Sequence, residues 1–133
     1  MEAARPTFSP AEGQQAALDA LQTYWAAEEA RDIDAILACL TPDAEFVDRF
    51  GRTRRGHSEL RAFYEASAEA FPRASVQLVR LLGGPSPVAA QYEATLTDRA
   101  GVQRHARVIV VVHFRDNLLE RLESYFDGAA LTA

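Results

Sequence analysis

Asp48 is the residue whose type and position first suggest chemistry. It ends the short apolar run Phe46-Val47-Asp48, and alternate side chains of a strand share a face, so Phe46 and Asp48 point the same way. If Phe46 faces the core, the Asp48 carboxylate faces it too, and burial there raises a carboxyl pKa. Such a group can act as a general base. The alternative is that Asp48 closes the strand and reaches solvent beside Arg49.

The other polar residues do not form a recognisable catalytic group. His105 and His113 lie eight residues apart, so they share one strand face, and that face is opposite to Val110. No His, Asp or Glu spacing matches a metal site, and no phosphate loop or Ser-His-Asp arrangement is found. We therefore expect no metal and no cofactor. The single cysteine, Cys39, lies in an apolar helical pattern and is interpreted as a core residue.

Three helices are predicted before the chain changes to strands. Ser9-Pro10-Ala11-Glu12 has capping-box spacing and predicts a helix from Ser9 to about Ala30. Asp32 can cap a second, short helix, and a third helix spans about Ser58 to Ala70. The remaining pattern predicts strands at 75–82, 88–97, 102–114 and 118–126, joined by turns. Helices first and hairpin-linked strands last indicate one α+β domain over residues 1–133, with three N-terminal helices packed on an antiparallel sheet.

The strand 106–114 is apolar on both faces. Val108, Val110 and Val112 share one face, and Ile109 and Val111 share the other. One face meets the helices, so the second must be covered as well. We expect a homodimer through the sheet, and the alternative is a strand buried locally within a curved monomer.

Composition limits the partners and the compartment. The net charge is −5, which argues against nucleic acid as a partner. The cluster Arg52, Arg54 and Arg55 is interpreted as a solvated loop, and the alternative is a site for an anionic ligand. No apolar run approaches the length of a membrane span. With one cysteine, no internal disulfide can form, and a reducing cytoplasm is the expected location.

Three segments carry a resemblance to a known superfamily. They are Tyr24 with Asp32-Ile33-Asp34-Ala35-Ile36, then Asp43-Ala44-Glu45-Phe46-Val47-Asp48, and Gly56 followed by Ala62-Phe63-Tyr64. Together with the order of elements, they resemble the nuclear transport factor 2-like superfamily, which includes ketosteroid isomerase and the SnoaL-like polyketide cyclases. The resemblance covers nearly the whole chain. It implies a cone-shaped, curved sheet that closes around a blind apolar pocket.

The resemblance also implies roles for individual residues. Asp48 falls where ketosteroid isomerases keep their catalytic base, Tyr24 on the tyrosine that donates to the dienolate oxygen, and Tyr64 on a tyrosine that supports the first. Val110 stands where the family keeps a second oxyanion donor, and Leu40 stands where it keeps another tyrosine. Losing one oxyanion donor costs roughly 3 kcal/mol of transition-state stabilisation, so a weakened or different reaction is expected.

The resemblance implies a cofactor-independent enzyme, ketosteroid isomerase-like or polyketide cyclase-like, that abstracts a proton from a small hydrophobic carbonyl compound with Asp48 as base and Tyr24 as oxyanion donor. Asp48→Asn should abolish turnover while leaving the fold intact. The alternative is a non-catalytic ligand-binding or dimerisation module of the same fold. On β-strand parity, either Tyr92 with Ala94 and Leu96, or the alternate residues, face the pocket. The resemblance and parity together predict a ligand-binding lining of Trp25, Phe46, Phe50, Phe63, Val108, Val110, Val112 and Phe126.

Overall fold

The structure is a computed structural model, and it describes residues 9–126. The predicted domain bounds, residues 1 and 133, lie outside the described residues. The helices are α1 (Gln15–Ala30), α2 (Ile33–Ala38) and α3 (Gly56–Ala70). The strands are β1 (Leu40–Val47), β2 (Thr53–Arg55), β3 (Arg73–Gly83), β4 (Val88–Thr97), β5 (Gln103–Arg115) and β6 (Leu118–Phe126).

Helix α1 begins at Gln15, so the predicted start at Ser9 is wrong. The Gln14 side chain accepts a hydrogen bond from the Ala11 backbone N–H at 3.0 Å and donates one to the Gly83 carbonyl at 2.7 Å. Gly13, at a φ of 82°, turns the chain just before this point. Because the Gln14 amide is buried and ties the turn to β3, the fold sets the helix start by a long-range contact that a local capping pattern does not contain.

The end of α1 is stabilised by local hydrogen bonds. Arg31 adopts a left-handed conformation, φ 54°, and its backbone N–H donates to the Ala27 and Glu28 carbonyls. Asp32 then caps α2 by accepting from the Ala35 N–H at 3.1 Å, as the sequence predicts. This sharp junction fixes the last turn of α1, which carries Glu28.

The sheet has six strands in the order β2-β1-β6-β5-β4-β3. All neighbouring pairs are antiparallel except β1 and β6, which run parallel, so the sheet is mixed and the prediction of a wholly antiparallel sheet needs this correction. Hairpin signals predict only strands that follow each other in sequence. The β1–β6 pair joins residues more than 70 positions apart, for example Phe46 with Leu122.

The helices cover one face of the sheet, and the core lies between them. Strand β5 alternates as its sequence predicts: Val108, Val110 and Val112 are at most 5% exposed, whereas Ile109 is 44% exposed on the opposite face. Within residues 9–126, no helix has both the length and the apolar character required to cross a bilayer. The largest fully buried side chains of the core include Leu21, Ile36, Leu60, Leu119 and Leu122.

Candidate active site

A cavity of about 140 Å³ lies between the helices and the inner face of the sheet. Helices α1 and α3 form one wall, and strands β1, β3, β4, β5 and β6 form the other. Most of its surface is aromatic or aliphatic, and a small number of hydroxyl and charged groups interrupt it. Its lining consists of Leu21, Tyr24, Trp25, Glu28, Arg31, Phe46, Phe63, Tyr64, Ser67, Ala74, Val76, Tyr92, Ala94, Leu96, Ala106, Val108, Val110, Leu122, Ser124 and Phe126.

Two of the predicted site residues, Tyr24 and Tyr64, meet in this cavity. Their hydroxyl oxygens are 2.7 Å apart, and both side chains are buried. Burial, together with the nearby Glu28 carboxylate, holds the pKa of both hydroxyls well above the ordinary value, so both stay protonated. Only one of the two hydrogens is used in the shared bond. Neither hydroxyl has another protein partner within residues 9–126, so the tyrosine that accepts keeps its own hydrogen for a ligand.

Glu28 brings a carboxyl group to the same cavity. It lies one turn after Tyr24 on α1 and lines the cavity. Burial raises the pKa of Glu28 to about 7, and the Arg31 guanidinium opposes part of that rise. The Arg31 guanidinium itself donates to the Phe71 carbonyl at 2.7 and 3.0 Å. In the part of the chain that the structure describes, the Glu28 carboxyl forms no ion pair or hydrogen bond with a protein group. It is therefore a titrating group in an apolar cavity near neutral pH.

Asp48 lies elsewhere, in the turn that follows β1. Its carboxylate accepts from the Phe50 and Arg52 backbone N–H groups at 2.9 and 3.0 Å and pairs with the Arg54 guanidinium at 3.1 Å. Burial alone would raise the pKa of Asp48, but the Arg52 N–H, Arg54 and the Phe50 N–H together lower it. Asp48 is not part of the cavity lining. The structure therefore does not bring Asp48 together with the two tyrosines.

Six of the eight predicted ligand-binding residues line the cavity, and two do not. The structure sets Trp25, Phe46, Phe63, Val108, Val110 and Phe126 around the cavity. Phe50 is 71% exposed, because it lies at the tip of the turn, where the Arg49 guanidinium packs on its ring at 4.0 Å. Val112 is fully buried among core residues further along β5, outside the lining. The register of β4 directs Tyr92, Ala94 and Leu96 to the cavity.

Glu28 is absent from the predicted site, although the sequence carries a signal for it. Leu21, Trp25 and Glu28 follow each other at the four- and three-residue spacings of a single helix face. A carboxylate that continues an apolar stripe is unusual enough to mark a candidate site. The predicted site also omits Ser124. It is 5% exposed, lines the cavity, and is the cross-strand partner of Val110 in the β5–β6 pair.

The arrangement can move a proton and stabilise a negative oxygen. A carboxyl group with a pKa near neutrality suits general acid–base catalysis, and neutral tyrosine hydroxyls suit an oxyanion. Within residues 9–126, no group of three His, Cys, Asp or Glu side chains is arranged to hold a metal ion.

Comparison with solved structures gives the fold. TerC, co-crystallised with polyporic acid, is 21% identical, with a TM-score of 0.78 over 89% of this chain and 96% of that one. A candidate SnoaL-like polyketide cyclase from Jannaschia sp. CCS1 is 14% identical, with a TM-score of 0.79 over 95% of both chains. A protein with a ketosteroid isomerase-like fold from Catenulispora acidiphila, in complex with trimethylamine, is 11% identical, with a TM-score of 0.76 over 84% and 88%.

These likenesses confirm the nuclear transport factor 2-like fold that the sequence predicts. No curated protein matches the chain. The family model of the SnoaL-like domain matches residues 7–122, which is most of the sequence. The chain therefore belongs to the SnoaL-like domain family.

Proposed function

We propose that the protein is a cofactor-independent enzyme, of the isomerase or cyclase kind, that moves a proton on a small apolar carbonyl compound. The observation that carries this proposal is the Glu28 carboxyl group, with a pKa of about 7, in the same cavity as the Tyr24–Tyr64 pair. A base works best when its pKa lies near the working pH, because it is then both available and strong enough. The apolar lining favours a neutral, hydrophobic substrate.

In the proposed reaction, the Glu28 carboxylate takes a proton from the carbon next to the substrate carbonyl. The electron pair of the broken C–H bond moves into a new C=C bond, and the carbonyl oxygen becomes an enolate oxygen. Tyr24, held by Tyr64, donates a hydrogen bond to that oxygen. The Glu28 carboxylic acid then returns its proton to another carbon of the conjugated system. Alternatively, the enolate carbon forms a C–C bond to a second carbonyl within the substrate, and the π pair of that carbonyl becomes an alkoxide that takes the proton from Glu28. Neither route consumes an oxidant, a reductant or a cofactor.

Ser124 is the proposed second donor to the enolate oxygen. Val110 occupies the strand position at which related isomerases keep their second donor, and Ser124 is paired with it across β5 and β6. Side chains of a cross-strand pair lie side by side on the same face. Within the described residues, the buried Ser124 hydroxyl has no hydrogen-bond partner in the protein. It can therefore supply the hydrogen bond that valine cannot.

A carboxylate exchange tests the assignment of the base. With a β,γ-unsaturated cyclohexenone as substrate, Glu28→Gln should lower kcat at least about 100-fold, the usual effect of losing a general base. Asp48→Asn is the matched control, because it also replaces one carboxylate by its amide, and it should leave kcat within about threefold of the wild type. The reverse result, with Asp48→Asn inactive and Glu28→Gln active, would assign the base to Asp48 as the sequence predicts.

A second candidate function is the binding of a small organic cation without catalysis. The rings of Trp25, Tyr92, Tyr24 and Tyr64 share the cavity with the Glu28 carboxyl, and aromatic rings with a carboxylate favour a methylated ammonium group. The related Catenulispora acidiphila structure is a complex with trimethylamine. Calorimetry with choline and with dimethylbutanol, its uncharged carbon isostere, tests this function. A preference for choline that Glu28→Gln removes would support it, and equal binding would reject it.

We also propose that two copies pair through the outer face of the sheet. Ile109 and Tyr125 are 44% and 55% exposed there and are cross-strand partners, so they offer a continuous apolar patch. Sedimentation velocity should give a dimer for the wild type and a monomer for Ile109→Arg. A wild-type monomer at every concentration would contradict the proposal.

A further inference from the structure

The inner face of the sheet has a gap one residue pair long. On β4 the inward side chains run Tyr92, Ala94, Leu96, and the cross-strand partner of Ala94 on β5 is Ala106. Ala94 and Ala106 are 8% and 6% exposed, so this gap faces the cavity rather than bulk solvent. The two larger β4 residues that bound it are four positions apart, about 13 Å along the strand. Among the described residues of β4 and β5, the methyl groups of Ala94 and Ala106 occupy the space between them.

Aromatic contacts close the cavity beside this gap. The Trp25 ring on α1 reaches the Tyr92 ring on β4, with centroids 5.2 Å apart. The Phe46 ring on β1 reaches the Phe63 ring on α3, with centroids 4.7 Å apart. Each contact joins the helical layer to the sheet, so neither wall can retreat without separating two packed rings. The cavity of about 140 Å³ is what these contacts leave open.

The size of this space sets the size of the ligand. A dry engineered cavity of about 150 Å³ in another protein binds benzene. The cavity here is nearly as large and also holds Glu28, whose carboxyl lacks a protein partner within residues 9–126. A four-ring steroid is far larger than benzene and does not fit this space. A second fused ring would meet either the Trp25–Tyr92 contact or Leu96.

We infer that the substrate is a compound with a single six-membered ring, which lies on the Ala94–Ala106 pair with its reacting end toward Glu28 and the tyrosines. The Trp25–Tyr92 contact at one end of the gap and Leu96 at the other exclude a second ring. This inference rests on the proposed function, because the ring must carry the carbonyl group that the acid–base groups act on.

Binding of phenol and naphthol tests the inference without requiring turnover. Phenol resembles the enolate of a single-ring substrate, and naphthol adds one fused ring and more apolar surface. The wild type should bind phenol at least about tenfold more tightly than naphthol in calorimetry, since a poorly fitting group in an apolar pocket costs at least that factor. Surface burial alone would favour naphthol, so naphthol binding as tightly as phenol would overturn the inference.

Variants of the cavity wall sharpen the test. Ala106→Leu and Ala94→Leu each fill the gap and should weaken phenol binding at least about tenfold. Tyr92→Leu and Trp25→Leu each open the aromatic contact from one side and should remove the preference for phenol over naphthol. Phe114→Leu is the matched control, because it removes a partly buried ring outside the cavity lining, and it should keep the wild-type preference. Thermal unfolding shows which variants are folded. Two variants fill the gap and two open the aromatic contact, so each effect can still be measured if one variant of its pair does not fold.

The two proposals fail in different ways. In one outcome the wild type prefers phenol, and Ala106→Leu and Ala94→Leu weaken phenol binding, but the β,γ-unsaturated cyclohexenone is not turned over. The proposed function then fails and the size limit stands. If the cyclohexenone is isomerised through Glu28 but naphthol binds as tightly as phenol, the size limit fails and the function stands.

Discussion

The two carboxyl groups of Glu28 and Asp48 have opposite surroundings in one small domain. Glu28 lies on a regular helix, faces a cavity without a protein partner in the described part of the chain, and has a pKa raised to about 7. Asp48 lies in a turn, accepts two backbone N–H groups and an arginine, and has a lowered pKa. A residue type at a familiar sequence position therefore does not by itself determine the chemistry of its side chain. The partners that the fold supplies set it.

The largest effect, a loss of kcat, is expected from a change to Tyr24, which shares the cavity with Glu28. Tyr24→Phe removes the proposed donor to the enolate oxygen and should lower kcat about 100-fold, with a smaller change in KM, because the bond strengthens in the transition state. Tyr125→Phe is the matched control, since its hydroxyl lies on the outer face and donates to Glu123. Steady-state kinetics with the β,γ-unsaturated cyclohexenone measure both. Equal activity of Tyr24→Phe and the wild type would remove Tyr24 from the mechanism.

The next effect is a gain in stability when the Glu28 charge is removed. Its pKa in the folded protein, about 7, lies above its ordinary value of 4.5, so the folded state favours the protonated carboxyl. That contribution is present below the ordinary value and is lost as the pH rises through about 7. At mildly alkaline pH, Glu28→Gln should therefore raise the free energy of unfolding by about 1 to 3 kcal/mol. Urea denaturation measures it, and a loss of stability there would show that the charged carboxyl is well accommodated.

The smallest effect has the opposite sign and belongs to Asp48. Asp48→Ala removes the acceptor of two turn N–H groups and the Arg54 ion pair, so it should lower the free energy of unfolding by about 1 to 2 kcal/mol at neutral pH. The Asp48 pKa is lowered in the folded state, so its contribution is present above the ordinary value of 3.8 and is lost as the pH falls through the lower folded value. The same denaturation series at acid pH should show the variant and the wild type converging.

The sequence predicts the elements and one face of the site because those patterns are local. The three helices, the strands of the meander and the inward Val108 and Val110 follow from periodicity within each segment. The parallel β1–β6 pair does not, because it depends on a contact between distant segments.

The local sequence pattern also does not predict the orientation of the Asp48 side chain. The alternation from Phe46 applies only while the strand continues, and β1 ends at Val47. The Gly51 N–H then donates to the Asp48 carbonyl, and the Asp48 N–H donates to the Arg52 carbonyl, so the chain folds back at this point. Glu28 could have been found, since it continues the apolar stripe of α1. Its raised pKa could not, because it depends on the strands that close the cavity around it.

A direct titration of the Glu28 carboxyl tests whether this group is the base of the cavity. Carbon NMR of the glutamate carboxyl groups, with Glu28 assigned from the signal that Glu28→Gln removes, follows its protonation in the folded protein without any substrate. The structure predicts a midpoint near 7 for this signal. A midpoint near the ordinary value of 4.5 would mean that the carboxyl is solvated or paired, and it would contradict the assignment of Glu28 as the base of the cavity.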